Sequence, residues 1–177
     1  NTSRKTADAT AAGTTDGIKA SDATTVDAAA AEGADLVTEI EFEPRGVELS
    51  EAAKKNLHEI LRRGAEIGNV EEVRVVTWAD HEFPSEAKKT LSTAQRELVN
   101  RRNQNIEKYI KNVPAGKGMS VQSFSMATRP SLVSEWINAP DARVKKALVS
   151  AGIPTTATKA ETFPSKASHS VIMILIK

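Results

Sequence analysis

The chain has 177 residues and a mass of 19.0 kDa, with 40% hydrophobic but only 4% aromatic residues, the make-up of one domain, or one domain and a tail, around an aliphatic core. The 24 Lys and Arg nearly balance 23 Asp and Glu for a formal charge of +1, which argues against nucleic-acid binding driven by bulk charge. There is no cysteine, so disulfide scaffolds, thiolate zinc sites and cysteine nucleophiles are excluded, and no stretch approaches the ~18 apolar residues of a membrane span.

Residues 1–33 are a low-complexity run of Ala, Thr, Asp, Ser and Gly, with Ile18 and Val26 as the large apolar side chains. So little apolar surface does not offset the entropy of ordering, and Ala29 to Ala31 lack the periodic apolar face of a stable helix, so a flexible tether is predicted. Such a coil has an r.m.s. span of roughly 30 Å and a reach of about 100 Å. The sequence opens on Asn1 rather than Met, and a processed N-terminus is expected.

Leu36, Val37, Ile40 and Phe42 predict a strand closed by Pro44-Arg45-Gly46. Ser50 stands as an N-cap with Glu51 in the first turn, and Ala53, Leu57, Ile60, Gly64 and Ile67 follow at spacings of three and four, predicting an amphipathic helix that ends near Gly68. The β-branched run from Val70 to Trp78 predicts a buried strand ending at Ala79-Asp80-His81. A second helix is predicted from Pro84-Ser85 to about Asn112, stopped by Pro114 and Gly116, then a strand over Met119 to Met126. Asp141 to Ser150 carries Val144, Leu148 and Ala151 at helical spacing before Gly152, and Val171 to Ile176 is apolar throughout, as in a strand covered on both faces or packed centrally. The order predicts a two-layer α/β sandwich with helices on a mixed sheet, and an extra helical insert before the last strand.

No Gly-rich phosphate loop, His-Glu-x-x-His or Gly-x-Ser-x-Gly occurs. His58, His81 and His169 are not at metal-ligand intervals, and neither a metal nor a cofactor is expected. Asp80-His81 as half of a hydrolytic site is a weak signal, and no catalytic residue is assigned. Two residues stand out. Arg102 falls within the apolar stripe of the second helix, beside Leu91, Leu98, Ile106 and Tyr109, whereas Arg101 points away. A guanidinium there snorkels, meets a structural glutamate, or serves a ligand. Asp80 sits where an apolar strand ends, as an ordinary turn residue or at the border of a ligand crevice. If both reach one crevice, they complement an amino-acid head group: Arg forks onto the carboxylate and Asp accepts from the ammonium.

At these residues the chain resembles the OmpA-like peptidoglycan-binding domain, the family of Pal and the OmpA C-terminal domain. That family's helix reads Leu-Ser-x-x-Arg-Ala-x-x-Val-x-x-Tyr-Leu, against Leu98-Val99-Asn100-Arg101-Arg102-Asn103-Gln104-Asn105-Ile106-Glu107-Lys108-Tyr109-Ile110 here. Its Gly-His-Thr-Asp strand end resembles Thr77-Trp78-Ala79-Asp80, and its opening strand and helix resemble Ile40 to Pro44 and Leu49 to Ala53. The resemblance covers roughly Leu36 to Pro130 and the final strand. It implies that Asp80 and Arg102 hold the diaminopimelate of a cell-wall stem peptide, with Thr77, Ala79, His81 and Asn105 as candidates for additional contacts, and it implies no enzymatic activity.

Three departures stand beside it. Thr77 and Ala79 replace the family's Gly and Thr, the loop from Asp80 to the helix core is longer, and Ser168-His169-Ser170 stands where the family has Asn-Arg-Arg. Ser131 to Pro164 reads as an enlarged insert within a domain over 34–177. A long Ala/Thr-rich segment ahead of such a domain is similar to the linker of Pal-like lipoproteins, which implies a periplasmic domain that touches the outer membrane through its tether alone. Arg102→Ala is then expected to weaken wall binding with little loss of fold. The alternative is an OmpA-like module that has lost the wall site and contacts envelope or secretion proteins, with Trp136 and Ile137 as anchors unless they belong to the core.

Overall fold

The computed structural model describes residues 21–152 and 165–177. Four strands, β1 (Leu36–Glu41), β2 (Val70–Thr77), β3 (Val121–Ser125) and β4 (His169–Ile176), form one mixed sheet in the order β1-β4-β2-β3. β4 runs antiparallel to both β1 and β2, whereas β2 and β3 are parallel. Parallel neighbours need a crossover, supplied here by helix α3 (Thr93–Asn112). The predicted α/β sandwich on a mixed sheet is present, and the wholly apolar β4 is central, with fully buried residues alternating between its two faces.

On one face, α2 (Glu51–Ile67) and α3 set Leu57, Ile60, Leu61, Ile106 and Ile110 against Val73, Val75, Ile172 and Ile174. The Ser50 hydroxyl accepts from the Ala53 amide at 3.0 Å, the cap that the sequence predicts. The second helix starts later than predicted. Residues 84–92 precede it as a loop, Lys89 has φ +58°, and Ser92 caps α3 by accepting from the Gln95 amide. A capping Ser in extended conformation outweighs the weaker start signal of Pro84-Ser85.

The opposite sheet face is also covered. α1 (Ala23–Ala31) and α5 (Pro140–Gly152) place Ala29, Val144 and Leu148 with Val76, Val171 and Met173. This corrects the tether at its C-terminal end, because residues 21–33 join the fold, while residues 1–20 lie outside the described residues. The helix forms without a broad apolar face because polar contacts hold it. Asp22 caps α1 by accepting from the Thr25 amide at 2.9 Å, and the fully buried Lys166 ammonium pairs with Asp22 and with Glu39 of β1. The charge is affordable in the interior because two carboxylates meet it.

A short helix, α4 (Leu132–Trp136), precedes α5. Trp136 and Ile137 are 88% and 60% exposed, so neither belongs to the core. The insert is described as far as Gly152; residues 153–164 lie outside the described residues.

Gly116 is required by close approach. It lies in the 3₁₀ turn Pro114–Gly116 after α3, and a Cβ there would stand 2.1 Å from the Ile110 carbonyl oxygen. Gly116→Ala is expected to cost about 2–3 kcal/mol through overpacking, lowering Tm by about 5–10 °C in a chain of this size. A melt followed by circular dichroism that shows an unchanged Tm would remove the close-approach explanation.

Candidate functional site

Arg102 is fully buried, and its position on the apolar stripe of α3 is the reason. Its neighbours on that stripe, Leu98, Ile106 and Ile110, pack inward and carry it with them, whereas Arg101 is exposed. The guanidinium finds an acceptor on almost every side. Nε donates to the Gly46 carbonyl at 2.8 Å, Nη1 to the Trp78 carbonyl at 3.1 Å, and Nη2 to the Glu43 carbonyl at 3.1 Å and to Asp80 Oδ1 at 2.7 Å. Its carbon lies 4.8 Å from the Phe42 ring centroid, so the plane rests on an aromatic face.

Asp80 follows β2, and its side chain is 14% exposed. Besides Arg102, Oδ1 accepts from Ser168 Oγ at 2.7 Å, and Oδ2 accepts from the Arg45 amide at 2.7 Å. Both of these donors sit on backbone in the left-handed region, at φ +61° for Arg45 and φ +63° for Ser168. That conformation costs non-glycine residues on the order of 1–2 kcal/mol, and here it turns two donors onto one carboxylate. The 43–46 turn, closed by the Gly46 amide on the Glu43 carbonyl at 2.7 Å, also aims its carbonyls at Arg102. Burial alone would raise the pKa of Asp80, but the hydrogen bonds from Ser168, Arg102 and the Arg45 amide outweigh it and hold the carboxyl below its ordinary value.

The structure brings Asp80 and Arg102 together and separates the other candidates. Thr77 and Ala79 are fully buried. The Thr77 hydroxyl donates to Asn103 Oδ1 at 2.5 Å and accepts from Ser170, while Asn103 Nδ2 donates to the Phe124 carbonyl, a relay that ties α3 to β2, β3 and β4. Asn105 Nδ2 donates to the Val47 carbonyl at 2.7 Å and pins the same loop as Arg102. His81 is exposed and makes no side-chain hydrogen bond among the described residues, so Asp80-His81 is not an assembled catalytic pair. No group of three or more His, Asp or Glu that could hold a metal occurs among the described residues.

Ser168 and Gln95 are the site residues that sequence reasoning missed. Gln95 Oε1 accepts from the Asp80 amide at 3.0 Å. Ser168 stands where the resembled family has its closing Asn, and that alignment was the available signal. The Arg45 amide carries no sequence signature, because any residue supplies one.

No family model and no curated protein matches the chain. Among solved structures it is similar to one described as a MotB-like protein from Desulfovibrio vulgaris, 14% identical over 80% of this chain and 73% of that one, with a TM-score of 0.34. At that score the fold and the site rest on this chain's own residues.

The burial of Arg102 overturns the expectation that Arg102→Ala leaves the fold intact. Alanine strands three carbonyls and a half-buried carboxylate, an expected loss of about 3–5 kcal/mol. Arg102→Lys should lose about 2 kcal/mol or more, since one ammonium does not reach acceptors spread around a planar fork. Urea unfolding measures both, and a loss under about 1 kcal/mol for alanine would show that the guanidinium does not hold these loops.

Asp80 also sets an acid limit. Its pKa is lower folded than unfolded, so its stabilisation is present above the unfolded value of about 3.9 and is lost as pH falls through the folded value. Below about pH 4 the unfolding free energy of the wild type should therefore fall more steeply than that of Asp80→Asn. Equal slopes would remove Asp80 from the acid response.

Proposed function

We propose that the chain is a non-catalytic module that binds peptidoglycan, with the Asp80 carboxylate taking the ammonium of the stem-peptide diaminopimelate and Arg102 holding Asp80 from behind. The observation that carries this reading is the 2.7 Å contact between Asp80 and Arg102, 22 residues apart, in the two positions that the OmpA-like resemblance singles out. Asp80 is the partly exposed member, negative and already fixed in direction, so it takes a cation without reordering. Arg102 has a different part from the one the resemblance implies. For its fork to reach a ligand carboxylate, the 43–47 loop whose carbonyls occupy it has to move.

In this proposal the domain lies in the periplasm and anchors the outer membrane or an envelope complex to the wall. No helix among the described residues is long and apolar enough to cross a membrane. A single head group gives modest affinity, and the repeating wall supplies avidity.

A second reading has its own support. With four acceptors on a fully buried guanidinium, and Leu132, Val133, Trp136 and Ile137 exposed, a module that has closed its wall site and contacts an envelope protein is the alternative.

Co-sedimentation with diaminopimelate-type sacculi separates the two. The wild type is expected to pellet, free diaminopimelate at about 10 mM to displace it, and Asp80→Asn to stay in solution while folded by circular dichroism. No muropeptide should be released. Folded wild type that remains in solution would overturn the wall-binding proposal in favour of the second reading.

A further inference from the structure

Arg129 is held by its stem and keeps its fork open. Its Nε donates to the Pro84 carbonyl at 2.7 Å, its carbon lies 4.9 Å from the Phe83 ring centroid, and its amide donates to the Lys89 carbonyl at 2.9 Å. Both terminal nitrogens are without a hydrogen-bond partner among the described residues. A guanidinium whose stem is fixed and whose outer donors are unspent is pre-organised for a planar, two-oxygen anion.

The surroundings narrow that anion. Arg129 lies on a cavity of about 320 Å³ that shares Glu86, Arg129, Pro130 and Glu135 with an outer lobe of about 580 Å³. These volumes suit a small ligand. Phe83, Ala142 and Val149 supply apolar surface to the inner lobe and Leu132 to the outer. The side chains of Glu86 and Glu135 have no ion-pair or hydrogen-bond partner among the described residues. Two unspent carboxylates beside the fork repel a purely anionic ligand such as phosphate, and they attract an ammonium. Arg129 with Lys89 and Lys146 gives three cations against these two glutamates, a formal charge of +1, so the groove is nearly balanced and suits a ligand carrying both signs.

The walls are held firmly. The Leu91 amide donates to the Ala127 carbonyl at 2.8 Å, Thr90 and Thr128 form a β-bridge, and the buried Lys145 of α5 donates to the Thr128 carbonyl at 2.9 Å while pairing with Asp141 at 3.1 Å.

We infer that this groove binds a short zwitterionic peptide, its carboxylate on Arg129, its ammonium on Glu86 and Glu135, and an apolar side chain against Phe83 and Val149. The site is separate from Asp80 and stands whether or not the wall-binding proposal does.

The test uses the full chain and the dipeptide Ala-Leu, followed by amide chemical shifts. Ala-Leu should shift the amides of Arg129, Glu86 and Glu135 with a dissociation constant of about 1 mM. Ala-Leu amide, which lacks the carboxylate, and acetyl-Ala-Leu, which lacks the ammonium, should each bind about tenfold more weakly. Arg129→Gln should lose binding and Arg129→Lys should weaken it about tenfold, since lysine keeps the charge without the fork. Because Arg129 also braces Pro84, the double variant Glu86→Gln/Glu135→Gln serves as the second test: both side chains are exposed, and the variant should bind Ala-Leu no better than acetyl-Ala-Leu. The proposal is overturned if Ala-Leu leaves these amides unmoved at about 10 mM, if both blocked peptides bind as well as the free one, or if the double variant keeps the preference.

Discussion

The guanidinium of Arg102 is the constraint on which the rest of this structure depends. A charge taken out of water costs several kcal/mol unless it is paired and hydrogen-bonded, and here the partners come from two separate parts of the chain. The Glu43 and Gly46 carbonyls come from the loop after β1, and the Trp78 carbonyl and Asp80 carboxylate from the end of β2. These segments are held at fixed distances because one planar cation needs all of them. Asp80 in turn gathers Ser168 from the approach to β4, so the ends of β1 and β2, the start of β4 and the middle of α3 meet at one point.

A second buried cation plays a comparable part on the far side of the sheet. Lys166 joins Asp22, the cap of α1, to Glu39 of β1. Burial opposes ionisation of Asp22, but hydrogen bonds from Lys166, Thr24 and the Thr25 amide more than compensate and hold its pKa well below the ordinary carboxylate range. Lys166 and Ser168 lie two residues apart, and Glu82 accepts from the amides of Lys166 and Ala167. The segment before β4 therefore links the helix at the N-terminal side of the fold to the Asp80 cluster. Hydrophobic burial builds the two faces of the sheet, and buried ion pairs decide how the connecting segments attach to it.

Two differences from the OmpA-like pattern that the sequence resembles, the longer loop and the insert, share a physical basis. The long loop after Asp80 and the chain leading into the insert look unrelated in sequence, yet Thr90 pairs with Thr128, and Arg129 bonds to both Lys89 and Pro84. Together with α4 and α5 they form one additional structure beside the core, and the open groove around Arg129 belongs to it.

Much of the fold was legible because its signals are local. The cap at Ser50, the spacing of Leu57, Ile60 and Gly64, the β-branched β2 and the all-apolar β4 each state a conformation or a burial within a few residues. Arg102 and Asp80 were legible too, since a charge on an apolar stripe and an acid at a strand end are anomalies of local pattern. What each charge does was not legible. Whether a donor is spent depends on carbonyls 24, 56 and 59 residues away, which no spacing records. Tertiary structure alone closed Arg102, left the fork of Arg129 open, drew residues 21–33 into the fold through Lys166 and set Trp136 at the surface. Sequence by itself determined the apolar faces of the predicted strands and helices, Ile67 apart; the meeting of distant backbone groups decided which charges remain available.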